Sequence, residues 1–593
     1  MNMKVSDFIA SFLDKHNFDT VFTITGGFSM HLSDSFYKNK NFKNFYQFHE
    51  QACAYSAIGY AKTTNKIPIV CTTAGIAAVN ALSPCLAAFQ DSVSLLILSG
   101  QVKSTESIRK LREDQGLQLR HYAGADSDVV SMAKTCTKYC EEIDSIEKVV
   151  PCLHKAMENL LFGRPGPVLL SICIDIQGML MNVNESMFQL DVPKMNLNYN
   201  LQDLQNIYKL LEQSKKPIII AGNGIKLGQC KEKFYKFLEN YKIPIVTTMM
   251  STDIIQDDND LYIGRIGILG LRAGNFAIQN SDLVLSLGCR MAQGLIGYRK
   301  EWFARKAKII YIDFDKNELE KTNLDYSLKL DMDLNYFFDH FSNEGIENTE
   351  WNQKCLYWKN KWYQEMPQLL DNNILNPYPV LKKFFEMAPD NKIINCSSGS
   401  IVVVAWHTAI IKTNDLFILS SQGDMGFELP AAIGAQIANH NKTVISILGE
   451  GSFQLHIQEL QTIVHLKLPI KILLFNNGGY GSIIITQQAF FKSKYGCDPE
   501  SDLSFPDHER IALAYGIKYI LLKNYNDVET KFKEFFDTQE AIILEIFCCI
   551  QTRVPKLSAF KNDDGTFTNR PLEDMEPFLS REEICKEMTI DMV

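Results

Sequence analysis

The stretch TVISILGEGSFQLHIQELQTIVHLKLPIKILLFNNGGYGSI, residues 443–483, decides the fold. It opens on a β-branched apolar run, 443–448, that stops at Gly449-Glu450-Gly451-Ser452. A segment of helical period follows, with Ile457, Leu460, Ile463 and Val464 on one face. A second apolar run, 471–475, ends in Asn476-Asn477-Gly478-Gly479. Strand, helix and strand in this order make a parallel βαβ unit. Such a unit brings a carboxylate, Glu450, and an amide, Asn477, to the carboxyl ends of two strands beside a helix N-terminus. Ligands in open α/β sheets bind at that edge, and helix N-termini offer unpaired N–H groups to phosphate oxygens. A hard cation that accompanies phosphates takes oxygen ligands in octahedral array. Glu450, the Asn477 side chain and a backbone carbonyl near Gly479 supply three, and two phosphate oxygens nearly complete the shell. Taken alone, the Gly-Glu-Gly triplet is also an ordinary turn between strand and helix.

The same alternation runs along the rest of the chain. Strand candidates fall into three groups: 21–25, 67–72, 93–98 and 168–174; 217–220, 243–247, 283–287 and 308–312; then 392–395, 416–420, 443–448, 471–475 and 541–546. The expected fold is α/β, with three doubly wound parallel-sheet domains over residues 1–182, 195–345 and 370–550 and a C-terminal tail, 551–593. Two polar, poorly periodic stretches, 182–200 and 343–377, read as linkers. The tail turns charged and Pro-containing and ends in a short helix from Ser580. It reads equally as a lid, a packing arm or a solvated tail.

With 593 residues, 46% of them hydrophobic, the chain exceeds a single core. Its net charge of -9 leaves no basic footprint, so nucleic acid is excluded as an expected partner. The 15 cysteines show no C-x-x-C pair and read as reduced, mostly buried thiols. No stretch approaches the roughly 18 to 20 apolar residues of a membrane span, and the N-terminus lacks signal-peptide character. A cytoplasmic protein with no membrane partner is expected.

The motif around Glu450 resembles that of the thiamine-diphosphate enzymes: Gly-Asp-Gly, an interval in the upper twenties, then Asn-Asn. Here 27 positions separate Glu450 from Asn477, and glutamate stands in the usual place of aspartate. The segments VFTITGGFSMHL, YQFHEQACAYSAIGYAKTTNK and VCTTAGIAAVNALSPCLAAFQDSVSLLILSGQV, with LSSQGDMGFELPAAIGAQIAN further on, extend the likeness. So do GRPGPVLLSI, KKPIIIAGNG and SDLVLSLGCR in the middle. The resemblance is to the acetolactate synthase (acetohydroxyacid synthase) branch and runs from about residue 5 to 546.

It implies thiamine diphosphate and Mg2+ as cofactors, with Glu50 as the catalytic acid that protonates the aminopyrimidine and so promotes loss of the C2 proton. A buried carboxyl group among Ala52, Ala54, Ala57 and Ile58 would have the raised proton affinity this needs. Cofactor contacts are implied for Gly26, Gly27, Glu50, Asn80, Gly399, Ser400, Gly423, Met425, Gly449, Gly451, Ser452 and Asn477. Metal ligation falls to Glu450, Asn477 and Gly479. The family also implies a homodimer or homotetramer with active sites shared between chains.

Departures fall where substrate and flavin would sit. The flavin-contacting Arg-Phe-Asp-Asp-Arg of acetolactate synthases is replaced by Arg290-Met291-Ala292-Gln293-Gly294. Their Phe-Gln-Glu substrate loop corresponds to Gly124-Ala125-Asp126, a lysine to Ile174 and a pocket tryptophan to Thr486. Loss of a buried polar partner alters substrate choice strongly. Gly222-Asn223-Gly224 and the turn 267–270 keep FAD open, but the replaced segment leads us to expect none at stoichiometric level. The expected activity is decarboxylation of a 2-keto acid, with pyruvate as one candidate, and release or transfer of the acyl unit to a carbonyl acceptor such as a keto-sugar. The alternatives are a true acetolactate synthase condensing two pyruvates, or an inactive cofactor-binding protein. Retention of Glu50 argues against the last.

Overall fold

The structure, a computed structural model, describes residues 2–191, 199–342, 344–362, 374–550, 555–557, 559–561 and 564–593. Three six-stranded parallel sheets follow one another along it. The first runs, in spatial order, Lys43–Tyr46, Thr20–Thr23, Ile69–Thr72, Leu96–Gln101, Val168–Cys173 and Tyr139–Ile143. The third runs Leu416–Ile418, Lys392–Asn395, Thr443–Gly449, Lys471–Asn476, Ile542–Phe547 and Lys518–Leu522. Counted within each sheet, both have the order 2-1-3-4-6-5, so the two outer domains are topological copies. The central sheet has the order 3-2-1-4-5-6, from Tyr262–Arg265 through Pro217–Ala221 to Leu328–Asp331. Central strands such as Val168–Cys173 and Leu283–Leu287 are buried on both faces, as the β-branched runs require.

Every strand expected from the sequence is present, shifted at its ends by a few residues. Within these three sheets five strands were not expected: Lys43–Tyr46, Tyr139–Ile143, Tyr262–Arg265, Leu328–Asp331 and Lys518–Leu522, each at the edge of its sheet.

The outer domains share one hydrophobic core. The helices Glu50–Thr63 and Glu428–Ala438 carry Cys53, Ala57, Ala431 and Ala435 into it. Their contact is close because glycines lie at the crossing: a Cβ on Gly59 would come 2.1 Å from the Ala431 carbonyl oxygen, and one on Gly434 would come 1.8 Å from that of Ser56.

The stretch 343–377 is not simply a linker. It contains the helix Thr349–Trp362, whose Trp351, Trp358 and Trp362 are buried on the central domain, with Phe276 stacked 4.9 Å from Trp362. The spacing of the three tryptophans is a helical period carried by aromatics in an otherwise polar segment. In 182–200, Glu185–Phe188 forms a 3-10 turn, and Phe188 packs 5.0 Å from Phe8. The remainders of both stretches, 192–198, residue 343 and 363–373, lie outside the described residues. The tail is a packing arm over much of its length: Arg272, fully buried, donates to the carbonyls of Met575 at 3.3 Å and Pro577 at 2.8 Å. Its helix, Arg581–Glu587, starts at the Ser580 cap. Among the described residues no helix is long and apolar enough to cross a membrane.

Candidate functional site

In the third sheet the strand order reverses between Lys392–Asn395 and Thr443–Gly449, and the crevice at such a point is where α/β sheets take ligands. The glutamate after Gly449 begins the short helix Glu450–Leu455 and is buried. Its Oε1 accepts the backbone N–H of Gly479 at 2.8 Å and of Asn477 at 3.2 Å. Burial pushes the Glu450 carboxyl up to about 7, against the opposing pull of these N–H groups and His508. Asn477 Oδ1 is buried and has no hydrogen-bond partner among the described residues. The Gly479 carbonyl accepts the Gly481 N–H at 2.9 Å. No cluster of three His, Cys, Asp or Glu side chains suited to a metal occurs among the described residues. A cation held here would need oxygens from a ligand to complete its shell, as magnesium does with phosphates.

Around these groups lies a cradle of backbone. Gly399 and Gly478, at φ +73° and +79°, would point a Cβ into open space. A Cβ on Gly423 or Gly449 would meet only a carbonyl oxygen at 3.9 Å. The helices Gly399–Thr408 and Gly481–Phe491 start beside one another, with the Ser400 and Ser482 hydroxyls 2.6 Å apart. Two helix N-termini and two hydroxyls thus converge where the glycines leave room, a donor set suited to an anion such as a diphosphate. Met425, after the Gly423 turn, is 38% exposed.

Gly451 and Ser452 lie in the wall of this cradle. A Cβ on Gly451 would collide with the Tyr480 ring at 2.1 Å. The Ser452 hydroxyl accepts the Gly426 N–H at 2.7 Å and donates to Glu428. Glu428, fully buried, also accepts the Ser398 N–H at 2.9 Å and the Ser398 hydroxyl at 2.8 Å. Sequence reasoning missed Glu428 and Ser482. Glu428 was legible as a lone charge in an apolar run, and Ser482 as the second residue of a helix following a glycine pair. It also missed Glu545, which accepts from Asn476 Nδ2 at 2.5 Å and pairs with His508 Nδ1 at 2.9 Å, and so braces the turn that carries Asn477.

The first sheet presents the other half of the expected site. Glu50 is the first residue of the helix Glu50–Thr63, whose capping residue His49 accepts the Gln51 N–H at 3.1 Å through Nδ1. Asn80 Nδ2 donates to Glu50 Oε2 at 3.0 Å. Ala52, Ala54, Ala57 and Ile58 are buried, while Glu50 itself is half-buried in the single chain. The reason is helical direction, since the alanine face turns into the core shared with the third domain while the first residue stays at its rim. A Cβ on Gly26 would come 2.4 Å from Thr73, whereas Gly27 faces open space. Among the described residues no hydrogen bond joins Glu50 or Asn80 to Glu450, Asn477 or Gly479.

Three family models match the chain in succession. They are the N-terminal TPP binding domain of thiamine pyrophosphate enzymes at residues 3–123, their central domain at 204–335 and their C-terminal TPP binding domain at 397–546. Among curated proteins, the chain is 28% identical to the acetolactate synthase isozyme 2 large subunit of Escherichia coli K12, over 92% of this chain and 95% of that protein. It is 29% identical to the chloroplastic acetolactate synthase of Arabidopsis thaliana, over 93% and 82%. The mitochondrial acetolactate synthase catalytic subunit of Saccharomyces cerevisiae is 26% identical over 93% and 81%.

Proposed function

The chain belongs to the thiamine pyrophosphate enzymes, and from that premise we propose that it decarboxylates a 2-keto acid and passes the acyl unit to a carbonyl acceptor or releases it as an aldehyde. The observation that carries this reading is the buried Asn477 Oδ1, without a partner among the described residues, beside the Glu450 carboxylate and within a cradle of glycines and helix N-termini. These residues fit a diphosphate bridged by Mg2+: Asn477, Glu450 and the Gly479 carbonyl would hold the cation, and Ser400, Ser482 and nearby N–H groups the phosphate oxygens. When bound, thiamine diphosphate supplies a carbanion equivalent and an electron sink. The protein's part in activation would fall to Glu50, as the proton donor to the aminopyrimidine, with Asn80 fixing one of its oxygens. The third domain would anchor the diphosphate.

In this reading the central domain works without stoichiometric FAD. Met291 is fully buried, and the glycines at 222 and 224 are explained by close approach to Gly288, with no dinucleotide needed. Active sites are shared between chains of a homodimer or homotetramer, and buried thiols such as Cys53 and Cys396 suit a cytoplasmic enzyme.

The names of the relatives favour a second reading, condensation of two pyruvates to acetolactate. Mass spectrometry of products from a panel of 2-keto acids, with and without sugar acceptors, decides. Acetolactate from pyruvate alone selects the second reading. No consumption of any keto acid by protein loaded with cofactor and magnesium removes both.

A further inference from the structure

Glu459 begins the helix Glu459–His465 of the third domain and is fully buried. Its carboxylate accepts three hydrogen bonds, of which two come from the first domain. Oε1 takes the Phe48 backbone N–H at 3.1 Å, and Oε2 takes Gln47 Nε2 at 3.2 Å and the Thr462 hydroxyl at 2.7 Å. All three partners are donors, which suits an ionised carboxylate, an acceptor only.

The clamped backbone lies directly before the helix that carries Glu50. Gln47 also donates to the Ser56 hydroxyl at 3.0 Å, and Ser56 donates to the Pro430 carbonyl at 2.8 Å. The Phe48 side chain is 58% exposed, so side-chain packing contributes little to holding this turn. Its main-chain N–H, drawn into the third domain by Glu459, holds the turn together with the Gln47 N–H, which donates to the Thr23 carbonyl at 3.1 Å. His49 then caps the helix, and Glu50 follows.

Resting on the assignment of Glu50 as the activating acid, we propose that Glu459 is a positioning residue that sets the backbone of Glu50 from the opposite domain of the same chain. An interdomain staple without this function would alter stability alone. A positioning residue alters the geometry at which Glu50 meets its proton acceptor, and a displacement of about 1 Å in such a group costs on the order of 100-fold in rate.

The test uses full-length protein loaded with thiamine diphosphate and magnesium. Deuterium exchange at the cofactor C2, the cofactor dissociation constant, and amide exchange over residues 47–51 in cofactor-free protein are measured together. Glu459→Ala should slow C2 exchange by about 100-fold, raise amide exchange over 47–51 and leave the dissociation constant unchanged. Glu459→Gln, which keeps one acceptor for Phe48, should recover most of the C2 exchange. If Glu459→Ala fails to fold, Gln47→Leu, which removes one of the three donors, carries the same readouts. Normal C2 exchange in Glu459→Ala, or a loss of cofactor affinity that accounts for the change, overturns the positioning role. Glu50→Gln is the control: if it exchanges at the normal rate, the Glu50 assignment falls and this role with it. Slow exchange in Glu50→Gln with normal exchange in Glu459→Ala removes the role of Glu459 alone.

Discussion

Glu450 and Asn477 are joined through the backbone: the Asn477 N–H donates to Glu450 Oε1 at 3.2 Å, and the same oxygen takes the Gly479 N–H at 2.8 Å. The longer side chain that stands here in place of aspartate is therefore a strut for the turn that presents Asn477 Oδ1. Aspartate, one methylene shorter, would leave both N–H groups behind. Glu450→Asp should weaken magnesium affinity by about 10-fold, the scale of disturbed ligand support in metal sites. Titration of cofactor retention against magnesium measures it. Tighter binding would mean that the turn merely tolerates glutamate.

Thiamine diphosphate and magnesium together should raise the melting temperature more than either alone, because Asn477 Oδ1 has no partner among the described residues to replace the cation. At about 100 times the dissociation constant, the pair should add roughly 2.7 kcal/mol of stability. A melting temperature indifferent to both would remove the metal assignment.

The interior of the fold was legible in the sequence and its edges were not. Central strands are buried on both faces and read as unbroken apolar runs, as in Leu283–Leu287. The strands that escaped notice lie at sheet edges, where charge is tolerated and discourages pairing with other chains: KNFY at Lys43–Tyr46, YCEEI at Tyr139–Ile143, LKLD at Leu328–Asp331. Tyr262–Arg265 escaped for another reason, since its fully buried Arg265 breaks the apolar pattern while bonding to the Ala409 carbonyl at 2.9 Å. At the candidate site, a motif with fixed spacing pointed to Glu450 and Asn477. Residues that act through tertiary contact have no such spacing: Glu545 has partners tens of residues away, and Glu428 shows only as a lone charge in an apolar run.

The C-terminal arm predicts an acid-sensitive stability. Burial alone would raise the Glu587 carboxyl, but Lys354, Trp358 and Tyr357, each at 2.9 Å, and Lys361 at 3.2 Å hold it down to about 2. A carboxyl whose folded value lies below its unfolded one stabilises the fold above the unfolded value, and that contribution is lost as pH falls through the folded one. Glu587→Gln should cost about 2 kcal/mol at neutral pH, the worth of hydrogen bonds to a charged group. The gap between variant and parent in thermal unfolding should narrow from about pH 4.5 downward. A gap independent of pH would show that the carboxylate's charge is not what anchors the arm.

Flavin gives a direct spectroscopic prediction. Met291 fills the central domain's core where the resemblance expects a flavin contact, and Gly294 stands in place of an arginine. Purified protein should show no flavin absorption at one per chain. A stoichiometric flavin band would mean that the glycine turns at 222–224 and 267–270 suffice, and would favour acetolactate synthesis.

Two chains should meet at each cofactor. Glu50 sits at the rim of the first sheet, half-buried, while Asn477 stands at the edge of the third. Within one chain the two domains are joined through the helices Glu50–Thr63 and Glu428–Ala438 and through Glu459, and among the described residues no hydrogen bond joins Glu50 to Asn477. A carboxyl group that must hold a proton near neutral pH needs burial, and a second chain laid over this rim would supply it. Glu50→Gln should keep cofactor binding and lose activity by about 100- to 10,000-fold, as acid–base residues do. Asn477→Ala should instead weaken the hold on metal and diphosphate. Neither variant alone should turn over. In a mixed dimer with shared sites, one site carries both lesions and the other carries none, so coexpression of the two should restore activity. Verified mixed dimers without activity would place Glu50 and Asn477 of the same chain at one cofactor.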